Sequence, residues 1–121
     1  MVVTVIEEAS ALDHIEEIAA TPGLDVLFIG TSDLSFSLGL RGRQDEPLLE
    51  EAIAKIVNAA KRNKKFLGRP AGSPSDVRRF REQGFQFFQS VTELGLMTLG
   101  AAQLLEPLGI TGVPPSERAL Y

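Results

Sequence analysis

The sequence predicts an α/β domain built on a parallel sheet, and three observations carry that prediction. Apolar runs at residues 2–7, 24–30, 65–68 and 85–91 are continuous rather than alternating, as strands buried on both faces require. Stretches with helical spacing or helix end signals separate them and follow the last, giving the order β-α-β-α-β-α-β-α. The 121 residues are enough for one modest domain with a core. They are too few for a full (β/α)8 barrel, which needs about 250. Four βα units fit either a small doubly wound domain or half of such a barrel.

Each element has its own signal. VVTVIE is rich in β-branched residues and opens the sheet. Ser10 is then expected to cap a helix, with Asp13 three residues on completing a variant capping box. Leu12, Ile15, Ile18 and Ala19 share a face of that helix, and Pro22-Gly23 ends it. LDVLFIG is the second strand, and SDLSFSLGL forms a short helix or turn. After the polar loop RGRQDE, Pro47 starts a long helix with Leu49, Ile53, Ile56 and Ala60 on one face. KFLG at 65–68 is a weaker third strand. Ser73 caps the next helix, Pro74 takes its first position, and Gly84 closes it. FQFFQSV is the fourth strand, and TELGLMTLGAAQLLEPLG is a last helix, apolar over much of its surface. Residues 110–121 read as an irregular tail on a single domain spanning 1–121.

Composition limits the function classes. The apolar fraction is 44%, the charged fraction 23% and the net charge −4, as in ordinary globular proteins. An acidic chain gives nucleic acid no basic patch, and KRNKK at 61–65 falls at a helix end, where cations oppose the dipole. With no cysteine there is no disulfide, thiol nucleophile or thiolate metal site, which suits a reducing, cytoplasmic setting. No apolar run approaches the ~20 residues of a membrane span, and the start lacks a signal-peptide pattern.

In parallel α/β proteins the site lies at the carboxyl ends of the strands. Those ends read Glu7-Glu8, then Gly30-Thr31-Ser32-Asp33, then Gly68-Arg69-Pro70, then Gln89-Ser90. Two neighbouring strands thus deliver carboxylates to one rim. Oxygen donors of this kind, completed by water and substrate, suit Mg²⁺ or Mn²⁺. Asp33 is equally readable as the N-cap of a short helix. His14, the only histidine, falls mid-helix away from the strand ends, so no Ser-His-Asp arrangement can be assembled. Phe28, Phe87 and Phe88 are core candidates.

The segment VIEEASALDHIEEIAATPGLDVLFIGTSDLSFSLG resembles the centre of the class II, metal-dependent pyruvate aldolases of the HpcH/HpaI type. In that family a glutamate ends one strand, and a stretch close to GVDGVFIGPADLSxSLG follows. The resemblance continues through the DEPLLEEAIAKIVNAAKRNKK helix, RRFREQGF and the final strand and helix. It covers nearly the whole chain but only the second half of the family barrel.

The resemblance implies a carbon-carbon lyase that splits a 4-hydroxy-2-oxo acid reversibly into pyruvate and an aldehyde through a metal-bound enolate. It makes Glu7 and Asp33 the protein ligands of a divalent cation, Mg²⁺ or Mn²⁺, with Co²⁺ a further option. Gly30, Thr31 and Ser32 would offer backbone N–H groups to the substrate carboxylate, with Phe28 beneath that loop. Arg69 stands where members are often aliphatic, and would either bind an acidic substrate tail or face a helix. Thr31-Ser32 replaces the common Pro-Ala, and QSVTE replaces the common AVGVD. The arginine and histidine that the family draws from its first half have no match here, so no catalytic residue is assigned in this half. A chain of these residues alone is expected to bind metal and a pyruvate-like oxo acid with little turnover.

The family also implies homo-oligomers in which the last helix is exchanged between neighbours, and a half barrel leaves two sheet edges to be covered. Two other readings stand beside this one. A flavodoxin-like regulatory or binding module has similar length and strand-end acids, but no lysine closes the last strand here. An inactive half-barrel that pairs with another chain is the third.

Overall fold

The structure, a computed structural model, describes residues 1–110. Four strands, β1 (Val3–Ile6), β2 (Val26–Ile29), β3 (Phe66–Pro70) and β4 (Phe87–Gln89), form one sheet in the order β1-β2-β3-β4. Every neighbouring pair is parallel. Helices α1 (Ile15–Ala20), α2 (Thr31–Ser37), α3 (Pro47–Arg62), α4 (Pro74–Glu82) and α5 (Glu93–Leu105) alternate with them. The backbone separates into a unit spanning Met1–Gln89 and a second beginning at Ser90.

Sequential strand order decides between the architectures. A doubly wound or flavodoxin-like sheet reverses direction at a switch point and carries helices on both faces. Here the order never reverses, and the core gathers on one face. Ile6, Leu27, Ile29 and Leu67 pack with Ile15, Ala19, Ile56, Ala59 and Ala60. The alternate residues form the other face, where register aligns Val5, Phe28, Gly68 and Phe87 in one row. None of these four belongs to the core cluster that packs with the helices, and Val5 and Phe66 remain 49% and 57% exposed. This is the arrangement of half a (β/α)8 barrel, with helices outside and the second face turned to the would-be interior.

Gly68 lies in the middle of that row because nothing larger fits. Phe28 and Phe87 meet edge to face with centroids 6.0 Å apart. A Cβ on Gly68 would stand 2.6 Å from Phe28 Cδ2 and 3.0 Å from Phe87 Cδ1.

The local signals at α4 hold. Ser73 Oγ accepts from the Asp76 N–H at 3.1 Å, Pro74 begins the helix, and Gly84 adopts φ +102° after it. Ser73→Ala is therefore expected to cost about 1 kcal/mol in denaturant unfolding, the usual worth of an N-cap. Leu49, Ile56 and Ala60 of α3 are buried and Ile53 partly so, as the spacing implied.

The first helix differs from expectation. Ser10 does not cap it; a 3₁₀ turn occupies Ala9–His14, flanked by Glu8 with no side-chain cap bond. The Ala9 N–H instead donates to Ser37 Oγ at 2.9 Å, a tertiary contact that draws the chain into the turn early.

The second unit contains α5, capped by Thr92 Oγ1, which accepts from the Gly95 N–H at 3.2 Å. Leu94, Leu96, Met97, Leu99 and Leu104 are all exposed on it, in keeping with the apolar surface read from sequence. Most of the tail assigned to 110–121 lies outside the described residues.

Candidate metal and oxo-acid site

The ends of β1 and β2 are held in register past the last paired residues. The Gly30 N–H donates to the Ile6 carbonyl at 3.1 Å, which sets Gly30 beside Glu7. Glycine is favoured there by contact rather than by backbone angle. A Cβ on Gly30 would lie 3.1 Å from Glu7 Cβ and 3.3 Å from Glu7 Oε2, while φ is an ordinary −78°. Gly30→Ala is therefore expected to push the Glu7 carboxylate aside. Metal titration should show weaker cation binding, and thermal melting should be almost unchanged.

Gly30 is also the N-cap of α2, and Asp33 falls in its first turn. The helix starts earlier than the sequence suggested, so Asp33 is a first-turn acid and not the cap. A carboxylate in that position complements the positive end of the helix. Glu7 and Asp33 are both exposed. Thr31 is buried at 7% exposure, Ser32 is half-buried, and Phe28 is buried in the strand below.

The loop after α2 braces these groups. Gln44 Nε2 donates to the Thr31 carbonyl at 3.3 Å. Ser35, fully buried, donates through Oγ to the Arg43 carbonyl at 3.0 Å, and Arg43 pairs with Glu46 at 2.9 Å. Ser37 reaches the β1 side through Ala9, so the loop after Glu7 and the helix bearing Asp33 are tied together. Ser35, Ser37 and Gln44 were not singled out by sequence reasoning. Hydroxyl residues repeated within an apolar helical stretch were the only visible hint.

Glu7 and Glu8 also line an open cleft of about 430 Å³ beside β1, shared with Ser10, Asp13 and His14. His14 thus stands nearer the strand end than the sequence implied. It is exposed and lies 3.7 Å from Glu17. Asp33 is not among the residues lining this cleft.

Arg69 had two expected placements. It belongs to β3, which runs to Pro70 rather than stopping at Gly68, and alternation turns it away from Gly68 and Pro70. Its guanidinium lies 3.6 Å from the centroid of Phe80, on the helix-covered face. Of the two alternatives for Arg69, the structure places it facing a helix.

The residues present suit a hard cation held by few protein ligands. No group of three or more His, Cys, Asp or Glu side chains that could hold a metal occurs among the described residues. Two carboxylates with open positions fit Mg²⁺ or Mn²⁺, which retain water and substrate oxygens, better than a closed structural site.

Four parallel strands in sequential order, with carboxylates on the strand-end rim, define half of a barrel of the (β/α)8 class. The chain belongs to the HpcH/HpaI aldolase/citrate lyase family, whose model matches residues 1–98. It is similar to 5-keto-4-deoxy-D-glucarate aldolase of Escherichia fergusonii, 37% identical over 101 residues that make up 84% of this chain and 40% of that one. The 2-dehydro-3,6-dideoxy-6-sulfogluconate aldolase of Pseudomonas putida is 34% identical over 116 residues, 96% of this chain and 46% of that one. Among solved structures, an HpcH/HpaI aldolase/citrate lyase family protein from Burkholderia cenocepacia superposes with a TM-score of 0.81 at 33% identity. That match covers 88% of this chain and 42% of the other. The chain therefore spans less than half the length of these relatives. No helix among the described residues is long and apolar enough to cross a membrane.

Proposed function

We propose that this chain supplies the cation-binding and oxo-acid-binding half of an aldolase site. The reaction would be reversible cleavage of a 4-hydroxy-2-oxo acid to pyruvate and an aldehyde. The observation that carries the reading is the delivery of Glu7 and Asp33 from neighbouring parallel strands to one rim, with Gly30 leaving room for the Glu7 carboxylate. The names of the two aldolases above support the reaction class.

In this reading Glu7 and Asp33 hold Mg²⁺ or Mn²⁺. When bound, the cation supplies Lewis-acid stabilisation of negative charge on the substrate oxygens. Backbone N–H groups of Thr31 and Ser32, at the start of α2, orient the oxo-acid carboxylate. Gln44 fixes the Thr31 peptide from behind, and Phe28 supports the loop from below. No proton-transfer role is assigned to a residue of this chain. The site would act in the cytoplasm, for which the absence of cysteine is the supporting feature.

Titration of Mn²⁺ into the protein, followed by the electron paramagnetic resonance of free Mn²⁺, tests the reading. One saturable site that tightens with pyruvate is expected. Binding no tighter than that of Asp33→Ala would sink it.

The exposed residues at the margins of the second sheet face favour a second reading, in which the chain completes a barrel with another chain, including a copy of itself. Val5 and Phe66 are exposed there, and β1 and β4 are the outer strands of the sheet. Native mass spectrometry would count the chains, and a monomer at working concentration would argue against it.

A further inference from the structure

On the helix side of the sheet a cleft of about 560 Å³ opens between α3 and α4, with Gln44 of the loop that braces Thr31 also in its lining. Ile53 and Val57 of α3 form one wall, and Arg79, Phe80 and Gln83 line the other, with Arg69 among them. Two guanidiniums share the Phe80 ring, Arg69 at 3.6 Å and Arg79 at 4.7 Å from its centroid. Their charges are treated differently. Arg79 donates to Asp76 Oδ1 at 2.8 Å. Arg69 has no carboxylate partner among the described residues, and its Nε is buried without any hydrogen bond.

We propose that this cleft is a second ligand site, built on Arg69 and suited to a small monocarboxylate that bears hydroxyl or oxo groups. A carboxylate matches the guanidinium edge in two parallel hydrogen bonds while the guanidinium face stays on the aromatic ring. Burial, and next the charge of Arg79, push the Arg69 guanidinium down to about 10, so it stays cationic at neutral pH at an electrostatic cost that an anion relieves. Ile53 and Val57 accept a short carbon chain, and the amides of Asn58 and Gln83 offer donors and acceptors to further oxygens. Glu50, which also lines the cleft, disfavours a second negative charge on the ligand. A monoanion is therefore preferred to phosphate.

The test is calorimetric titration of glycerate into the full chain with a chelator present, so that no cation serves the rim. Glycerol and inorganic phosphate are run beside it. Saturable glycerate binding is expected, weaker by at least about tenfold in Arg69→Met and unchanged in Asp33→Ala, as the loss of a charge-assisted bidentate pair predicts. Methionine keeps an apolar stem on Phe80. If Arg69→Met fails to fold by circular dichroism, Gln83→Glu, an exposed position, should weaken glycerate in the same direction through like charge. The proposal is overturned by any of several results. These are no saturable binding to folded wild type, equal binding by Arg69→Met or by Gln83→Glu, loss of binding in Asp33→Ala, or phosphate or glycerol binding as tightly as glycerate. Because the chelator removes the rim's cation, failure here leaves the Mn²⁺ result standing, and the reverse holds too.

Discussion

Replacing Asp33 by alanine is expected to weaken Mn²⁺ binding by about 100-fold or more, while the protein melts within a few degrees of wild type. The two halves of this expectation have separate causes. In the proposed site Glu7 and Asp33 are the two ligands, and a hard cation that loses one of two anionic ligands loses more than the 10–100-fold typical of removing a supporting group around a metal. Asp33 is exposed in the first turn of α2, where its charge complements the helix end by about 0.3–1 kcal/mol, so a loss of a few degrees at most is expected. Paired metal titration and thermal melting of Asp33→Ala separate the effects. A variant that keeps wild-type affinity would remove Asp33 from the site. One that unfolds would show a structural role that its exposure does not suggest.

The second large effect is on stability. Gly68→Ala should destabilise the chain by about 2–3 kcal/mol, within the range for overpacking a tight interior. The added methyl would stand 2.6 Å from Phe28 Cδ2, 3.0 Å from Phe87 Cδ1 and 3.2 Å from the Phe87 carbonyl oxygen. Phe28 is buried and cannot swing into solvent, and the carbonyl belongs to the neighbouring strand. Urea unfolding monitored by circular dichroism measures the loss, which corresponds to a fall of roughly 10 °C in Tm for a domain this size. An alanine variant as stable as wild type would mean that the row of Val5, Phe28, Gly68 and Phe87 is looser than its geometry indicates.

How far the sequence was legible follows from the range of the interactions involved. Ser73-Pro74 and Gly84 announce α4 because a cap, a fixed φ and a left-handed turn act within a few residues of chain. Glu7 and Asp33 were visible as rim candidates because the runs before them are plainly strands. The helix at Asp33 begins three residues sooner than a cap at Asp33 would imply, since Gly30, with no side chain, is its N-cap. Ser10 had an equally good capping pattern and was overruled by the bond between Ala9 and Ser37, which lie 28 residues apart. Arg69 was left between two alternatives for a related reason. β3 continues through an arginine and a proline, where apolar character gives no cue, and two extra strand residues decide which face a side chain takes. Gln44 and Ser35 gain their roles only once the loop folds back on α2.

The edge-to-face meeting of Phe28 and Phe87 over Gly68 also constrains how such a sequence can change. A side chain at position 68 becomes tolerable only after one of the two rings has been reduced, whereas shrinking a ring first opens a cavity that a later methyl can partly fill. The order of substitutions therefore matters: one path passes through a single strained ancestor and the other through a merely loosened one. Gly68→Ala combined with Phe87→Leu should accordingly cost less than the sum of the two separate changes. In lineages of this fold, residues at these three positions should replace one another as a set rather than singly.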